Sequence, residues 1–265
     1  MDHIKIVING ALGKMGRQVI KAVLSKPELD IVGAVEEKVT QQYLPLLETS
    51  ELIPFSSDLN SLLESYKTDV VVDFTNATAA MAAARIATKR KVNMVIGTTG
   101  LSEEDLREIE RLCQANNVGV MVAPNFSLGA VLLMHLSKIA AKFFDYAEII
   151  EMHHEKKIDA PSGTAIATAK AMLEAHGKPF IYPKTEKETI NNTRGGQIEG
   201  IAIHSMRLPG FMAGQEVILG GLGETLSLRS ETISRESYMP GVNLAIKEIT
   251  KHKGLVYGLD TLLKL

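Results

Sequence analysis

The chain has 265 residues, and its 29 Lys and Arg residues against 31 Asp and Glu residues give a formal net charge of -2. This balance argues against nucleic acid as the main partner, because nucleic-acid-binding domains usually carry a basic excess. The single cysteine excludes an intrachain disulfide, and no apolar stretch reaches the roughly 20 residues of a membrane span. The first apolar run begins within three residues of Met1, too early for a signal peptide. We therefore expect a cytoplasmic globular protein with neither a membrane nor a nucleic-acid partner.

The first half of the chain alternates short apolar runs with segments of helical periodicity. Strands are expected at residues 4–8, 31–35, 70–72, 92–96 and 118–122. Helices are expected at residues 16–24, 78–88 and 102–116. Continuous apolar strands separated by helices predict a parallel sheet covered on both faces, which is typical of a Rossmann-type α/β domain.

The pattern changes after Asn125. The elements expected there are helices at 128–144 and 162–175, strands at 147–152, 198–207, 215–219 and 225–230, a long mobile loop at 181–197, and a helical tail at 241–265. Consecutive strands without helices between them predict a mixed or antiparallel sheet, and so a smaller α+β domain. The apolar surface of this sheet suggests a partner, unless the domain's own helices cover it.

Glycines at positions 10, 13 and 16 directly follow the first strand and open the first helix. The spacing G-x-x-G-x-x-G departs from the usual dinucleotide fingerprint, but its place between a strand and a helix is the same. Glycines let the backbone approach a pyrophosphate, whose charge is favoured by the N–H groups at the helix start. The loop therefore predicts a dinucleotide site.

An acidic residue at the end of the second strand would hold the ribose hydroxyls of such a cofactor. Glu36 and Glu37 both occupy this place. A carboxylate accepts hydrogen bonds from a 2′-hydroxyl but repels a 2′-phosphate, so the pair favours NADH over NADPH. Lys38 and Arg17 leave NADPH open, because either side chain could reach a phosphate.

Polar turns follow the third, fourth and fifth strands, at 73–76, 97–100 and 123–127. Ligands of open parallel sheets bind beyond the carboxyl ends of the strands. We expect these turns to face the nicotinamide half of the cofactor.

Residues 151–157 place two histidines and two lysines at the end of a strand. Since neighbouring strand residues face opposite ways, His153 and His154 can both reach one atom only if the strand ends there, whereas His153 and Lys157 can share a side. A histidine titrates near neutral pH and can donate a proton. The helix that begins at Ser162 adds free N–H groups and the hydroxyls of Ser162 and Thr164, which suit a substrate carboxylate. This combination is typical of a reductase that acts on a small anionic imine or carbonyl.

The pattern His-His-x-x-Lys-x-Asp-Ala-Pro-Ser-Gly-Thr, from His153 to Thr164, resembles the signature of the 4-hydroxy-tetrahydrodipicolinate (dihydrodipicolinate) reductase family of lysine biosynthesis. The resemblance covers essentially the whole chain. It also includes residues 10–17, 97–100, 124–127, 203–207 and 234–241.

The resemblance implies a role for each matching residue. The general acid would be His153, with Lys157 as a second proton donor. The substrate would be held by His154, Ser162, Gly163 and Thr164. The residues implied to hold NADH or NADPH are Gly10, Ala11, Leu12, Gly13, Lys14, Met15, Glu36, Gly97, Thr98, Thr99, Ala123, Pro124, Asn125 and Phe126.

The resemblance also implies a reaction and an assembly. The substrate ring would lose water, receive hydride at C4 and take a proton at the neighbouring carbon. A Rossmann domain of residues 1–126 and 236–265 would hold the cofactor, and residues 127–235 would bind substrate and join a homotetramer. No metal is implied.

Two departures from the family pattern stand out. Many members carry a histidine in the segment matching residues 213–216, which has none here, and NADPH-using members often have a basic residue where Glu37 stands. Two alternatives stay open on the residues alone, namely another two-domain Rossmann dehydrogenase for an amino or keto acid, and a non-catalytic NADH sensor.

Overall fold

The structure is a computed structural model that describes residues 3–46, 49 and 51–265. Its strands are β1 (Ile4–Asn9), β2 (Leu29–Val35), β3 (Tyr43–Pro45), β4 (Leu52–Ser56), β5 (Val70–Asp73), β6 (Asn93–Ile96), β7 (Gly119–Val122), β8 (Tyr146–His153), β9 (Gly196–Ile198), β10 (Ile201–Arg207), β11 (Ala213–Gly221), β12 (Glu224–Thr232) and β13 (Gly254–Tyr257). Its α-helices are α1 (Lys14–Leu24), α2 (Leu59–Ser65), α3 (Ala77–Lys89), α4 (Glu103–Asn116), α5 (Leu128–Ala140), α6 (Gly163–His176), α7 (Met239–Ile249) and α8 (Leu259–Leu263).

The chain divides into two compact units, one of residues 1–126 and 238–265 and the other of residues 127–237. Over the described residues, the first unit contains a sheet of eight strands in the order β13-β7-β6-β5-β1-β2-β4-β3. The strands from β13 to β4 pair in parallel, and β3 pairs antiparallel with β4 at one edge. The Rossmann-type parallel sheet predicted from the sequence is confirmed.

The core of the first unit packs the apolar strands against an alanine-rich helix and an amphipathic one. Small side chains of α3 let that helix lie close to the sheet, and Ile109 and Cys113 of α4 are fully buried beside it. Burial raises the pKa of the Cys113 thiol to about 11, so this cysteine is a packing residue. Ser102 and Asp105 form the capping box at the start of α4.

The chain order reverses at β1, which lies between β5 and β2. The carboxyl ends of β1, β5, β6 and β7 therefore meet at one edge of the sheet, where the crevice of an open α/β sheet binds its ligand. The glycine loop and the three polar turns all leave the sheet at this edge.

The second unit has a mixed sheet in the order β12-β11-β8-β10-β9. Strands β8 and β10 are parallel, with α6 in the connection between them, and the other pairs are antiparallel. Alternate residues of this sheet, such as Ile149 and Val217, form a buried cluster with Ala165, Ala169 and Met172 of α6. The predicted α+β domain with a mixed sheet is confirmed.

The prediction of a helical tail at 241–265 is wrong at its centre. After α7 the chain turns at Gly254 (φ +91°), and β13 pairs with β7 at the edge of the parallel sheet. The apolar run Leu255-Val256-Tyr257 is too short for its periodicity to separate strand from helix. Hydrogen bonding to β7 therefore decides its conformation.

Three smaller differences concern element boundaries. The strand predicted at 198–207 is broken by a turn at Glu199 and Gly200, both with positive φ, which folds β9 back on β10. The helix predicted at 128–144 is α-helical only to Ala140 and ends in a 3₁₀ turn at Ala141–Phe143. The elements β3, β4 and α2 were not predicted. Among the described residues, no helix is long and apolar enough to cross a membrane.

Candidate active site

The glycine loop of the first unit has the geometry of a phosphate-binding turn. Gly10 is buried and adopts φ +79°, and a Cβ on Gly16 would collide with the Gly10 carbonyl oxygen. The helix α1 therefore starts directly against the turn. Its N-cap is Gly13, whose lack of a side chain leaves the first N–H groups of α1 without a side-chain cap. These N–H groups suit an anionic ligand.

Glu36 lies beside this loop at the end of β2. One carboxylate oxygen accepts a hydrogen bond from the Leu12 N–H at 2.9 Å. The exposed Arg17 donates from Nε to the Leu12 carbonyl at 2.9 Å, while Glu37 and Lys38 are exposed. The fold thus brings Glu36 and Arg17 together at one residue of the turn.

The turns after β5 and β6 are joined by buried hydrogen bonds. The Thr98 hydroxyl donates to Asp73 at 2.7 Å and accepts from the Thr75 N–H at 2.9 Å. Thr98 was expected to hold the cofactor, but its hydroxyl is used inside the protein. Only its backbone remains for a ligand.

The other predicted cofactor residues divide by exposure. Ala11, Ala123 and Phe126 are buried, and the Phe126 ring packs at 5.8 Å from that of Phe74. The residues that are exposed or half-buried at this edge are Leu12, Gly13, Lys14, Met15, Gly97, Thr99, Pro124 and Asn125. Buried members of the set shape the turns, and the accessible members are the ones that a cofactor could contact.

In the second unit, His153 ends β8 and is held by a fully buried carboxylate. Its Nδ1 bonds to Glu151, which lies two residues back on the same face of the strand. Arg207 of β10 donates to the other Glu151 oxygen at 2.7 Å and to the Asp159 carbonyl at 2.6 Å. The carboxylate therefore orients the imidazole, and Arg207 connects this pair to the loop that follows β8.

These contacts shift the pKa values of Glu151 and His153. Burial raises the pKa of Glu151, but hydrogen bonds from Arg207, Ser205 and His153 outweigh burial and hold that pKa below its usual value. Burial lowers the pKa of His153 below its usual value, against the hydrogen bond and charge of Glu151, which raise it. The charges of Lys157 and Arg207 lower the His153 pKa further.

The loop after β8 presents Lys157 next to the histidine. The Lys157 N–H bonds to the His154 carbonyl at 3.2 Å, and its ammonium donates to Asp159 at 2.7 Å. The His154 ring accepts from the Lys156 N–H at 3.2 Å through Nδ1, so this ring also stabilises the turn.

The helix α6 begins at the end of this loop. The Ser162 hydroxyl accepts the Ala165 N–H at 3.2 Å and is almost fully buried, so Ser162 acts as the N-cap. Gly163 is exposed, with open space where a Cβ would lie, and Thr164 is half-buried. The first N–H groups of α6 at Gly163 and Thr164 therefore form the accessible part of the predicted anion site.

Both units of the chain are similar to one known family. The family model for the N-terminus of dihydrodipicolinate reductase matches residues 4–126, and the model for its C-terminus matches residues 129–263. The chain belongs to the dihydrodipicolinate reductase family. The predicted family resemblance is confirmed, and membership in a family of reductases confirms the predicted oxidoreductase.

Curated relatives support the same family over their full lengths. The chain is 52% identical to a 4-hydroxy-tetrahydrodipicolinate reductase from Dehalococcoides mccartyi, with 100% of both chains covered. It is 47% identical to the reductase of that name from Moorella thermoacetica, with 98% of each covered.

Among solved structures, one match is a member of the family and another shares only the fold. A dipicolinate-bound dihydrodipicolinate reductase from Paenisporosarcina sp. TG-14 matches with TM-score 0.88 and 38% identity, over 98% of this chain and 99% of that one. An amine dehydrogenase from Mycobacterium smegmatis matches with TM-score 0.64 at 16% identity, over 96% and 94%. The second likeness is one of fold alone, so it gives no support to a different dehydrogenase activity.

Two residues of this dihydrodipicolinate reductase family member were missed as site residues. Glu151 and Arg207 are joined across 56 positions of sequence, and only the parallel pairing of β8 with β10 brings them together. Their signal in the sequence was weak, namely an acid inside an apolar strand and a basic residue ending another.

The segment 213–216, which lacks the histidine common in the family, lies on β11 directly beside β8. Ala213 pairs with His153, and the buried Gln215 pairs with Glu151. Gln215 donates to the Thr168 hydroxyl at 2.9 Å, and Thr168 donates to the Thr164 carbonyl at 2.9 Å. In this chain the segment therefore ties the sheet to the first turns of α6. No group of three or more His, Cys, Asp or Glu side chains that could hold a metal occurs in the described part of the chain.

Proposed function

We propose that this chain reduces 4-hydroxy-tetrahydrodipicolinate to tetrahydrodipicolinate in the diaminopimelate route to lysine. The observation that carries this proposal is the arrangement of the second unit: His153 on a buried Glu151, Lys157 on the adjoining loop, and the open N-terminus of α6 at Gly163. The relatives that bear this reductase's name match the chain over its full length.

The residues of the first unit fit a dinucleotide. The turn at Gly10 and the close approach at Gly16 exclude a side chain at those two positions, and α1 starts without a side-chain cap. The residues that would hold the cofactor are those at 10–15, 36, 97–99 and 123–126. Bound NADH or NADPH supplies the hydride that the substrate receives at C4.

We expect NADH to be preferred. The Glu36 carboxylate, which accepts the Leu12 N–H, lies where it can also accept from ribose hydroxyls. Glu37 adds a second negative charge that would repel a 2′-phosphate. Arg17 donates to the Leu12 carbonyl through Nε, so its two terminal nitrogens remain to attract the 2′-phosphate of NADPH.

The proton for the carbon next to C4 would come from His153, with Lys157 as a second donor. Glu151 holds the Nδ1 side of the imidazole, which leaves Nε2 to face the substrate. The lowered pKa of His153 makes its proton easier to give up. Loss of the ring hydroxyl as water, hydride at C4 and this proton together complete the reduction.

The substrate carboxylate would be bound by the backbone N–H of Gly163 and by Thr164. His154 would contact the substrate ring, and Ser162 would fix the start of α6. The dipicolinate bound in the Paenisporosarcina relative is a ring dicarboxylate, which supports a ligand of this type.

A homotetramer would form through one face of the second unit's sheet. This face is opposite to the one that packs against α6 and forms the buried cluster. Ile150 and Ile218 lie on this opposite face and are half-buried. The domains of this cytoplasmic enzyme would be residues 1–126 with 236–265 for the cofactor, and 127–235 for substrate and assembly.

The test is turnover with the condensation product of pyruvate and aspartate semialdehyde, generated in situ. We expect reduced nicotinamide to disappear in step with tetrahydrodipicolinate formation, faster with NADH than with NADPH. A folded protein that binds NADH without consuming it would contradict the proposal and favour a sensor. Oxidation only with other amino or keto acids would favour another dehydrogenase.

A further inference from the structure

Asp73 is a buried carboxylate for which the proposed chemistry has no use. It is the last residue of β5, at the sheet edge from which the glycine loop departs, and its exposed fraction is 0%. Removing a charge from water at such a site is costly unless the group is fully hydrogen-bonded. The hydrogen-bond partners of Asp73 therefore indicate what this buried acid does.

The Asp73 carboxylate receives hydrogen bonds from three segments of the chain. Asn9, at the end of β1, donates from Nδ2 at 2.6 Å. Thr98, in the turn after β6, donates at 2.7 Å. Thr75, in the turn after β5, donates from its N–H at 3.2 Å and from its hydroxyl at 3.0 Å. One side chain thus bonds to the strand end that leads into the glycine loop and to both neighbouring turns.

The same turns also pack on each other. A Cβ on Gly10 would meet the Thr75 methyl at 2.9 Å, and a Cβ on Gly97 would collide with the Phe74 ring. In turn, Phe74 packs on Phe126 from the turn after β7. Because the contacts are this close, a shift of one turn must displace the others.

The electrostatics of Asp73 agree with a role as an acceptor. Burial raises its pKa above the usual value, and the hydrogen-bond donors Thr98, Thr75 and Asn9 offset only part of that rise. The ionised form therefore depends on these donors, and the donors depend on it.

We propose that Asp73 is a positioning residue for the dinucleotide, which fixes the glycine loop and the turns at 74–76 and 97–99 in one arrangement. This inference rests on the proposed function, because the glycine loop and the turn at 97–99 are proposed to hold the cofactor. Asp73 itself would touch neither cofactor nor substrate.

The first variant is Asp73→Asn, which keeps the size of the side chain and removes its charge. The new amide can still accept from Thr98, but its NH₂ group would face the NH₂ group of Asn9 and leave a donor–donor contact. We expect the Kd for NADH, measured by calorimetry, to rise about tenfold or more. The KM for NADH should rise with it, while kcat at saturating NADH changes less.

The decisive variant is the exchange Asn9→Asp with Asp73→Asn. It restores one donor facing one acceptor, so we expect it to recover most of the NADH affinity that either single substitution loses. Recovery would assign the loss of NADH affinity to this one donor–acceptor contact, and the melting temperature measured on the same variants separates that effect from a general loss of stability. The exchange also keeps the test informative if Asp73→Asn alone folds poorly.

The control is Asp69→Asn, at the opposite end of β5, where Asp69 accepts the Lys5 N–H at 2.8 Å. We expect it to lower the melting temperature without changing the Kd for NADH. If the wild type binds NADH and Asp73→Asn binds it with the same Kd, the inference is overturned and the proposed function is not. The same holds if the exchange recovers none of the lost affinity. No NADH binding by the wild-type protein would overturn the proposed function and this inference together.

Discussion

At the residue scale, the His153 imidazole lies between groups that move its pKa in opposite directions. Glu151 raises the pKa through a hydrogen bond and its charge, whereas burial and the charges of Lys157 and Arg207 lower it. A general acid must be protonated before it reacts, so kcat/KM should fall as the pH rises through this pKa. With His153 as the proposed general acid, we expect its neighbours to set the upper pH limit of turnover.

We predict opposite shifts from two neighbouring substitutions. Glu151→Gln removes a contribution that raises the His153 pKa, so the pKa falls further and the decline of kcat/KM moves to lower pH. Lys157→Met removes a contribution that lowers it, so the pKa rises. Titration of the imidazole by NMR in the free protein measures both, and shifts of the same sign would contradict this description of the site.

The anion site at the start of α6 predicts a binding effect without a rate effect. Thr164→Ala removes a hydroxyl but keeps the helix N–H groups, so we expect KM for the substrate to rise several-fold while kcat changes little. Thr193→Ala, in the exposed loop, is the matched control. A Thr164→Ala enzyme with unchanged KM would remove this residue from the substrate site.

His153, Lys157 and the start of α6 could be predicted from the sequence because they are contiguous. The contact between Glu151 and Arg207 could not, since it depends on which strands become neighbours. The same holds for Thr98, whose hydroxyl has a buried partner on another strand.

At the element scale, α1 can start against the glycine loop only because Gly16 has no side chain. A Cβ there would overlap the Gly10 carbonyl and lie 2.8 Å from the Ala11 Cα. We predict that Gly16→Ala displaces α1, lowers the free energy of unfolding by about 1–3 kcal/mol and weakens NADH binding. Urea unfolding and calorimetry measure the two effects.

Gly196→Ala is the control for that substitution, since a Cβ at Gly196 meets nothing within 4 Å and needs no unusual backbone angle. It should leave stability and NADH affinity close to those of the wild type. Equal losses in both variants would mean that the close approach at Gly16 is not the cause.

The strands β1, β2, β5, β6 and β7 were predictable because each is a continuous apolar run next to a helical segment. The strand β13 was not, since three apolar residues fit either conformation and the open edge of β7 decides between them. The turn between β9 and β10 depends on positive φ at Glu199, a conformation that glutamate does not signal.

At the scale of the whole molecule, the sheet of the second unit predicts assembly. Its helix-side residues form the buried cluster, while Ile150 and Ile218 of the other face lie among the charged Glu148, Glu216 and Arg229. We predict that light scattering gives a mass four times the 28.8 kDa of the chain. Ile218→Lys should yield smaller species, and Tyr66→Lys, on the other unit, should not. A wild-type monomer would contradict the tetramer.

The central claim is that His153 supplies a proton in the reduction of 4-hydroxy-tetrahydrodipicolinate, and steady-state kinetics of His153→Gln test it most directly. At saturating NADH, we predict that kcat falls by about 10²–10⁴-fold while the substrate KM changes little. Lys156→Gln, at the exposed neighbouring position, should match the wild type. A His153→Gln enzyme with unchanged kcat would contradict the claim.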